Sequence, residues 1–579
     1  MKFFEIICSA KTLCLLCFLC ASSLSLALDR EAFSITNYDL NLQVEPQQHR
    51  LGVRGKITLR NDSAIPQKVA VLQISSSLDW RSIRAADKAL QFVSQPYTSD
   101  IDHTGSLSEA IVTLPQAVAP KGTIDIDIAY EGIIVLDATR LTRIGTPEDV
   151  ARSTDWDEIG TTFSAVRGAG YVAWYPLATE VANLSEENAL FEVLARWKRR
   201  EAGSAMHLKI AVTQETGEEA PELFFNHSNC FFMMEQISRS QHLSSECNYE
   251  PLGSTAPAFV IGHYSLLSRP VIEVHFLKGH DASAVEFADA AAKVVPLITD
   301  WFGAQRQKAQ TADLPDPKAA SFESGPLLLR PLANVDSNLT GLAAAHQLTH
   351  AAISSFRPWI DEGLAHFAQA LYVEQQKGRP AALEHMALHG SALKEIESPS
   401  TPRSDSEASD SLVNTTNEEL YRGKAMFVWW MLRDMVGEAS LKKAIGAYHS
   451  EQDKEPSYIQ RLISAQTQRD LEWFFDDWVY RDRGLPDFKI ESAFSRKTLN
   501  NSYILTVTVD NLGNAGAEVP IVVQFAKGDV SRRLEVRSKS KATIRIEAPS
   551  APQQVVVNDG SVPESDMTNN KFTVEAARD

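Results

Sequence analysis

At 579 residues, 44% of them hydrophobic, the chain is too long for one core and too apolar for wholesale disorder, so three or four globular domains are expected. A formal charge of −18 argues against nucleic acid or an anionic membrane as partner and mainly indicates solubility.

Residues 1–27 read as a secretory signal: Lys2 and Lys11, an apolar run from Leu13 to Leu19, then small residues ending Ser25-Leu26-Ala27. Export follows, to a periplasm or outside the cell, with no membrane span expected once the signal is removed. Four of the six cysteines leave with it. Cys230 and Cys247 remain, either as one disulfide or as two buried thiols.

From Phe33 to about Gly132 the apolar residues alternate, as in Tyr38, Leu40, Leu42, Val44 and in Ile126, Ile128, Tyr130, which predicts half-buried antiparallel strands. Phe191, Val193 and Ala195, then Leu208, Ile210 and Val212, extend that style, so residues 28–268 are expected to form one β-rich domain. Helical periodicity begins near Ala282 and leads into Trp301-Phe302-Gly303, with a short strand predicted from Pro326 to Arg330. The Ser- and Thr-rich stretch from Glu397 to Glu418 reads as a surface loop. Helices resume at Leu420 and run to about Tyr480, their aromatic stripes being core. Alternation returns past Pro486 (Tyr503, Leu505, Val507, Val509) and predicts a β-sandwich over 487–579.

The chemistry concentrates between His346 and His366. His346 and His350 are four apart on an apolar helix and can aim two imidazoles at one point. A Pro358 turn then starts a second helix, with Ile360, Leu364, Phe367 and Leu371 on one stripe, which can bring the Glu362 carboxylate to the same place. Two His and one carboxylate suit zinc with an open fourth position. His385 and His389 repeat the spacing without that context, and His366 is expected beside the site or in the core, not as a ligand.

Trp359-Ile360-Asp361-Glu362-Gly363 resembles the Trp-Leu-Asn-Glu-Gly of the gluzincin aminopeptidases, the membrane alanyl aminopeptidase family, and Tyr38-Asp39-Leu40-Asn41-Leu42 is similar to their opening segment. The resemblance implies a multidomain α+β fold: an N-terminal β-saddle over 28–268, a thermolysin-like α-rich catalytic domain over 269–486, and the C-terminal β-sandwich. It further implies Zn2+ on His346, His350 and Glu362, and a peptide or protein substrate. Tyr421 would serve as donor to the oxyanion, and Glu323, in Ser321-Phe322-Glu323-Ser324-Gly325, as remnant of the site for a substrate α-amino group. The chain departs from the family in three ways. Gln347 stands where the general-base Glu belongs, the 11 residues between His350 and Glu362 make a short connection, and the Gly-x-Met-Glu-Asn motif is missing. These departures point to a slow or altered peptidase, or to an inactive zinc- or peptide-binding relative, with a purely structural exported protein as a third class. If residue 347 faces the open side of the metal, Gln347→Glu would restore a base.

Overall fold

Alternation builds the first layer as expected. Tyr38, Leu40, Leu42 and Val44 are all buried along the strand Phe33–Glu45, which lies inside an eight-stranded sheet. That strand runs antiparallel to Arg50–Asn61 and parallel to Ala205–Glu215. Gly55 permits the first pairing, because a Cβ there would meet the Asp39 carbonyl oxygen at 2.0 Å. A three-stranded sheet (Gln67–Ser75, Ser106–Val118, Gln91–Thr98) shares its apolar core. The computed structural model describes residues 28–574 apart from 187–188, 216–220, 227–229, 238–239, 254, 334–336, 398–410, 416 and 482. The expected signal over 1–27 and most of the expected 397–418 loop therefore lie outside the described residues.

One stretch departs from expectation. Phe191, Val193 and Ala195 lie not on a strand but on the helix Ala189–Glu201. Its buried residues are Leu190, Val193 and Trp197, a helical spacing, while Phe191 is exposed. Three alternating apolar residues fit either period, and the flanking Leu190 and Trp197 decide for the helix.

The next layer is a mixed five-stranded sheet. Ile272–Phe276, Ala309–Asp313 and Leu327–Arg330 are parallel, while Ser265–Ser268 and Phe322–Ser324 form antiparallel edges. The hairpin of Ser265–Ser268 with Ile272–Phe276 spans the domain boundary expected at residue 268, so its first strand is part of this sheet. Helix Asp281–Phe302 ends at Gly303, whose φ of 86° only glycine adopts freely. Helices Ser337–Ala352 and Pro358–Lys377 follow, and Ile360, Leu364, Phe367 and Leu371 are buried as the stripe predicts. Trp359 stacks on Trp429 at 5.2 Å, and Phe427, Trp430, Phe474, Phe475 and Trp478 are buried beside them as core.

From Phe488 onward a three-stranded and a four-stranded antiparallel sheet enclose an apolar layer continuous with the helical core. On the other flank, Arg167 is sandwiched between Trp156 and Tyr171 at 3.8 and 3.7 Å and forms a buried pair with Asp157. Tyr171 in turn packs edge-on against Phe322 at 5.5 Å. The loop that carries Tyr171 thus braces the edge strand that carries Glu323.

Cys230 and Cys247 are direct cross-strand partners, Cα atoms 4.2 Å apart, and are bridged. Thiol titration of the unreduced, denatured chain after residue 27 should find no free thiol. Replacing both residues by Ser should cost about 3 kcal/mol of stability for a loop of this size, whereas two titratable thiols would exclude the bridge.

Candidate metal centre

The candidate group converges on Glu362. Its Oε2 lies 3.6 Å from His346 Nε2 and its Oε1 3.7 Å from His350 Nε2. The two imidazoles sit a turn apart on the Ser337–Ala352 helix, ring centroids separated by 4.8 Å. The short connection works because the second helix starts at once, with Pro358 preset for its first turn. Asp361 Oδ1 accepts from the Ser355 amide at 2.8 Å, and Arg357 grips Asp453 through two hydrogen bonds of 2.7 and 2.8 Å. The turn is thereby fixed, and Glu362 is delivered to the imidazoles.

Each imidazole shows its other nitrogen to a carboxylate. His346 Nδ1 is 2.8 Å from Glu323 Oε2, near enough for charge attraction though off the direction of a hydrogen bond. His350 Nδ1 faces Asp361 Oδ2 at 3.6 Å. Metal-binding histidines are commonly oriented by such carboxylates. A tetrahedral ion with bonds near 2.1 Å has its ligand atoms about 3.4 Å apart; the separations of 3.6 and 3.7 Å are close to this but reach different oxygens of Glu362. Among the described residues, the groups whose ligand atoms all lie within 4.8 Å of one another are Glu323, His346 and His350; His346, Glu362 and His366; and His350, Asp361 and Glu362.

The charges agree with this. Burial alone lowers the His346 pKa, but Glu323 and Glu362 outweigh it and the imidazole is pushed up to about 10. Burial likewise works to raise Glu362, yet His346, Arg422 and His350 hold it well below the usual carboxylate range.

Gln347 does not join the group. It is fully buried and turned to the sheet, where Nε2 donates to the carbonyls of Gln310 at 2.7 Å and Pro326 at 2.9 Å. Its Oε1 accepts from Thr311 Oγ1 at 3.1 Å. The expectation that residue 347 faces the open side of the metal is thus corrected, because two buried carbonyls claim both amide protons. Glu323, expected at a substrate amine, instead has its Oε2 against His346. Tyr421 lies on the wide π-type turn Glu419–Lys424, its hydroxyl donating to Glu418 Oε1 at 3.1 Å. His389 is 3.5 Å from Glu419 and stacks edge-on with His366, which stacks in turn with His346.

Sequence reasoning missed Arg422, which donates to Glu362 Oε2 at 3.1 Å and to Glu418 Oε2 at 2.7 Å. The Glu418/Arg422 spacing of four was a legible signal for half of that network. It also missed Lys198, on the helix first read as a strand. Burial lowers the pKa of this ammonium, while Glu362, Glu418 and Asp361 oppose the shift.

No family model and no curated protein matches the sequence. Solved structures do. The chain is similar to the M1 zinc metallopeptidase from Deinococcus radiodurans, with a TM-score of 0.51, 16% identity, and coverage of 78% of this chain and 95% of that one. A point mutant of the same protein aligns with a TM-score of 0.50 at 16% identity, over 80% and 97% of the two chains. That mutant bound to a Tyr-Ser-Ala substrate gives 0.50 at 16% identity, over 79% and 96%. The multidomain fold is therefore that of the M1 metallopeptidases.

Two outcomes follow from this geometry. Gln347→Glu would set a carboxylate against two carbonyls in a buried site, so chemical denaturation should show a loss of about 3 kcal/mol, and peptide hydrolysis should not rise. A divalent metal on His346 Nε2 must also displace the proton held there up to about pH 10. Metal affinity, followed by competition with a chelating dye, should therefore climb about tenfold per pH unit from neutrality and level off near that pH. A flat profile would exclude a protonated His346 as the competitor.

Proposed function

We propose that this is an exported zinc-binding protein of the metallopeptidase fold, whose cleft receives peptides and whose hydrolysis of them is slow. The observation that carries the reading is the convergence of His346 Nε2 and His350 Nε2 on the two oxygens of Glu362. Zinc held by these three residues would supply a Lewis acid for a peptide carbonyl. Glu323 and Asp361 fix the imidazole rings, and the Tyr421 phenol, released from Glu418, is the donor for an oxyanion. With Glu323 against His346, exopeptidase capture of an α-amino group has little support. A peptide is the ligand class because one similar structure holds a Tyr-Ser-Ala substrate. Export is supported by the pattern of residues 1–27 and by the Cys230–Cys247 bridge.

The reaction is slow because residue 347 supplies no base, an omission that costs about 10²- to 10⁴-fold in typical cases. A second reading, a zinc- and peptide-binding protein without hydrolysis, is favoured by the same Gln347 contacts. Metal analysis of the purified protein should find about one zinc per chain and little in the His346→Ala, His350→Ala double variant. Equal zinc in both would overturn the reading. Turnover of peptides with free and blocked N-termini should be slow for both and stop on chelation; turnover that survives chelation would separate it from the site described.

A further inference from the structure

The hairpin of Phe488–Lys497 with Tyr503–Asn511 ends in a turn that presents a leucine to solvent. The turn is ordered: the Thr498 amide donates to the Ser502 carbonyl at 2.8 Å and the Asn501 amide to the Thr498 carbonyl at 3.1 Å. Leu499 at its apex is fully exposed and adds nothing to the core. Turn apices ordinarily take Gly, Asn, Asp, Pro or Ser. Register brings two more apolar side chains near it. Phe494, Thr506 and Arg545 stand in one row across three strands, and Arg496, Ile504 and Glu547 in the next row toward the turn. These residues share the face turned away from the buried Leu505 and Val507, where Phe494 is 70% and Ile504 39% exposed. The ion pairs of this sheet are those of Lys541 with Glu491 and Asp510. Arg496, Lys497, Arg545 and Glu547 form none among the described residues, so three positive charges stand against one negative in a chain of net −18. The other end of the hairpin is the one fixed to the helical core, where Trp478 Nε1 donates to the Gly516 carbonyl at 2.7 Å and the Gly516 amide to Asp477 Oδ2 at 2.9 Å. A strand of this length spans about 30 Å, so the turn stands clear of that attachment.

We infer that this tip docks the protein on an anionic lipid surface, Leu499 and Phe494 entering the headgroup region while Arg496, Lys497 and Arg545 meet lipid phosphates. The inference is independent of the zinc reading. A protein partner needs a pocket to receive a convex apolar turn, whereas a bilayer accepts one without matching its shape, and anionic headgroups complement the unpaired cations. The overall charge of −18 does not oppose this contact. At physiological salt charges act over about 8 Å, so the bilayer meets the cations of the tip and not the rest of the surface. Attachment of this kind scales with apolar area plus attraction to anionic lipid, and a few side chains make it reversible and sensitive to salt.

Co-sedimentation with vesicles tests the inference on the chain after residue 27. Wild type should pellet with vesicles of phosphatidylcholine and phosphatidylglycerol, stay in solution with phosphatidylcholine alone, and be released as salt is raised. Leu499→Asp combined with Phe494→Asp should weaken binding by at least about tenfold. Arg496→Gln combined with Lys497→Gln should weaken it by roughly 25-fold, the effect of two cations at an anionic surface. All four side chains are exposed, so the variants should unfold thermally as wild type does. Wild type that stays in solution with both kinds of vesicle overturns the inference, and so does equal pelleting of wild type and variants. Equal pelleting of wild type with both lipids excludes the anionic surface as the partner. A wild-type dimer in sedimentation equilibrium that Leu499→Asp dissolves shows a second copy covering the tip and likewise overturns it.

Discussion

The amide of Gln347 ties the helix that carries His346 and His350 to the sheet beneath it. The carbonyls of Gln310 and Pro326 both point at this position, the second also accepting from the Gln310 amide at 2.9 Å. A primary amide has two N–H groups for them and an oxygen left over for Thr311. A carboxylate has none. The clamp fixes the rotation of the helix, and His346 and His350 face Glu362 because residue 347 faces the strands. In this fold an amide at residue 347 meets those contacts, and a carboxylate would not.

The rest of the group follows from placing charges in a partly enclosed space. Glu362 is negative among His346, His350 and Arg422, and Glu418 returns a negative charge to the far side of the guanidinium. Such networks hold together only when each member is satisfied, since an unpaired buried charge is costly. The turn Glu419–Lys424 that carries Arg422 is anchored by the buried pair of Lys424 with Glu397 at 2.6 Å. The segment leading out of one helix and the turn leading into the next are therefore pinned to each other.

The sequence made the outline legible where a pattern was long or a motif redundant. Tyr38 to Val44 and Tyr503 to Val509 alternate through whole strands, and both lie where the pattern put them. His346, His350 and Glu362 could be read because two helical His and a matching Glu motif reinforce each other. Phe191 to Ala195 was too short to separate period two from a helix. Lys198, on that helix, could not be assigned to the site at all, because its place depends on how the first β layer packs. The direction of Gln347 was hidden for a similar reason: it depends on which backbone carbonyls of the sheet face the helix, and no local spacing reports that.

The surrounding carboxylates set a further limit on the chemistry. Asp361 divides its oxygens between the Ser355 amide and His350, Glu418 holds Tyr421 and Arg422, and Glu362 serves both imidazoles. Glu323 has one oxygen against His346 and the other buried without a hydrogen bond among the described residues. It is therefore the carboxylate of this group with an oxygen to spare for a proton. Accepting one would neutralise the charge that holds the His346 ring, and the nitrogen opposite would lose its orientation. Proton transfer and ligand positioning thus compete for the same side chain. Residue 347, next to His346 on the same helix, does not relieve that conflict, because its amide is taken up by the clamp.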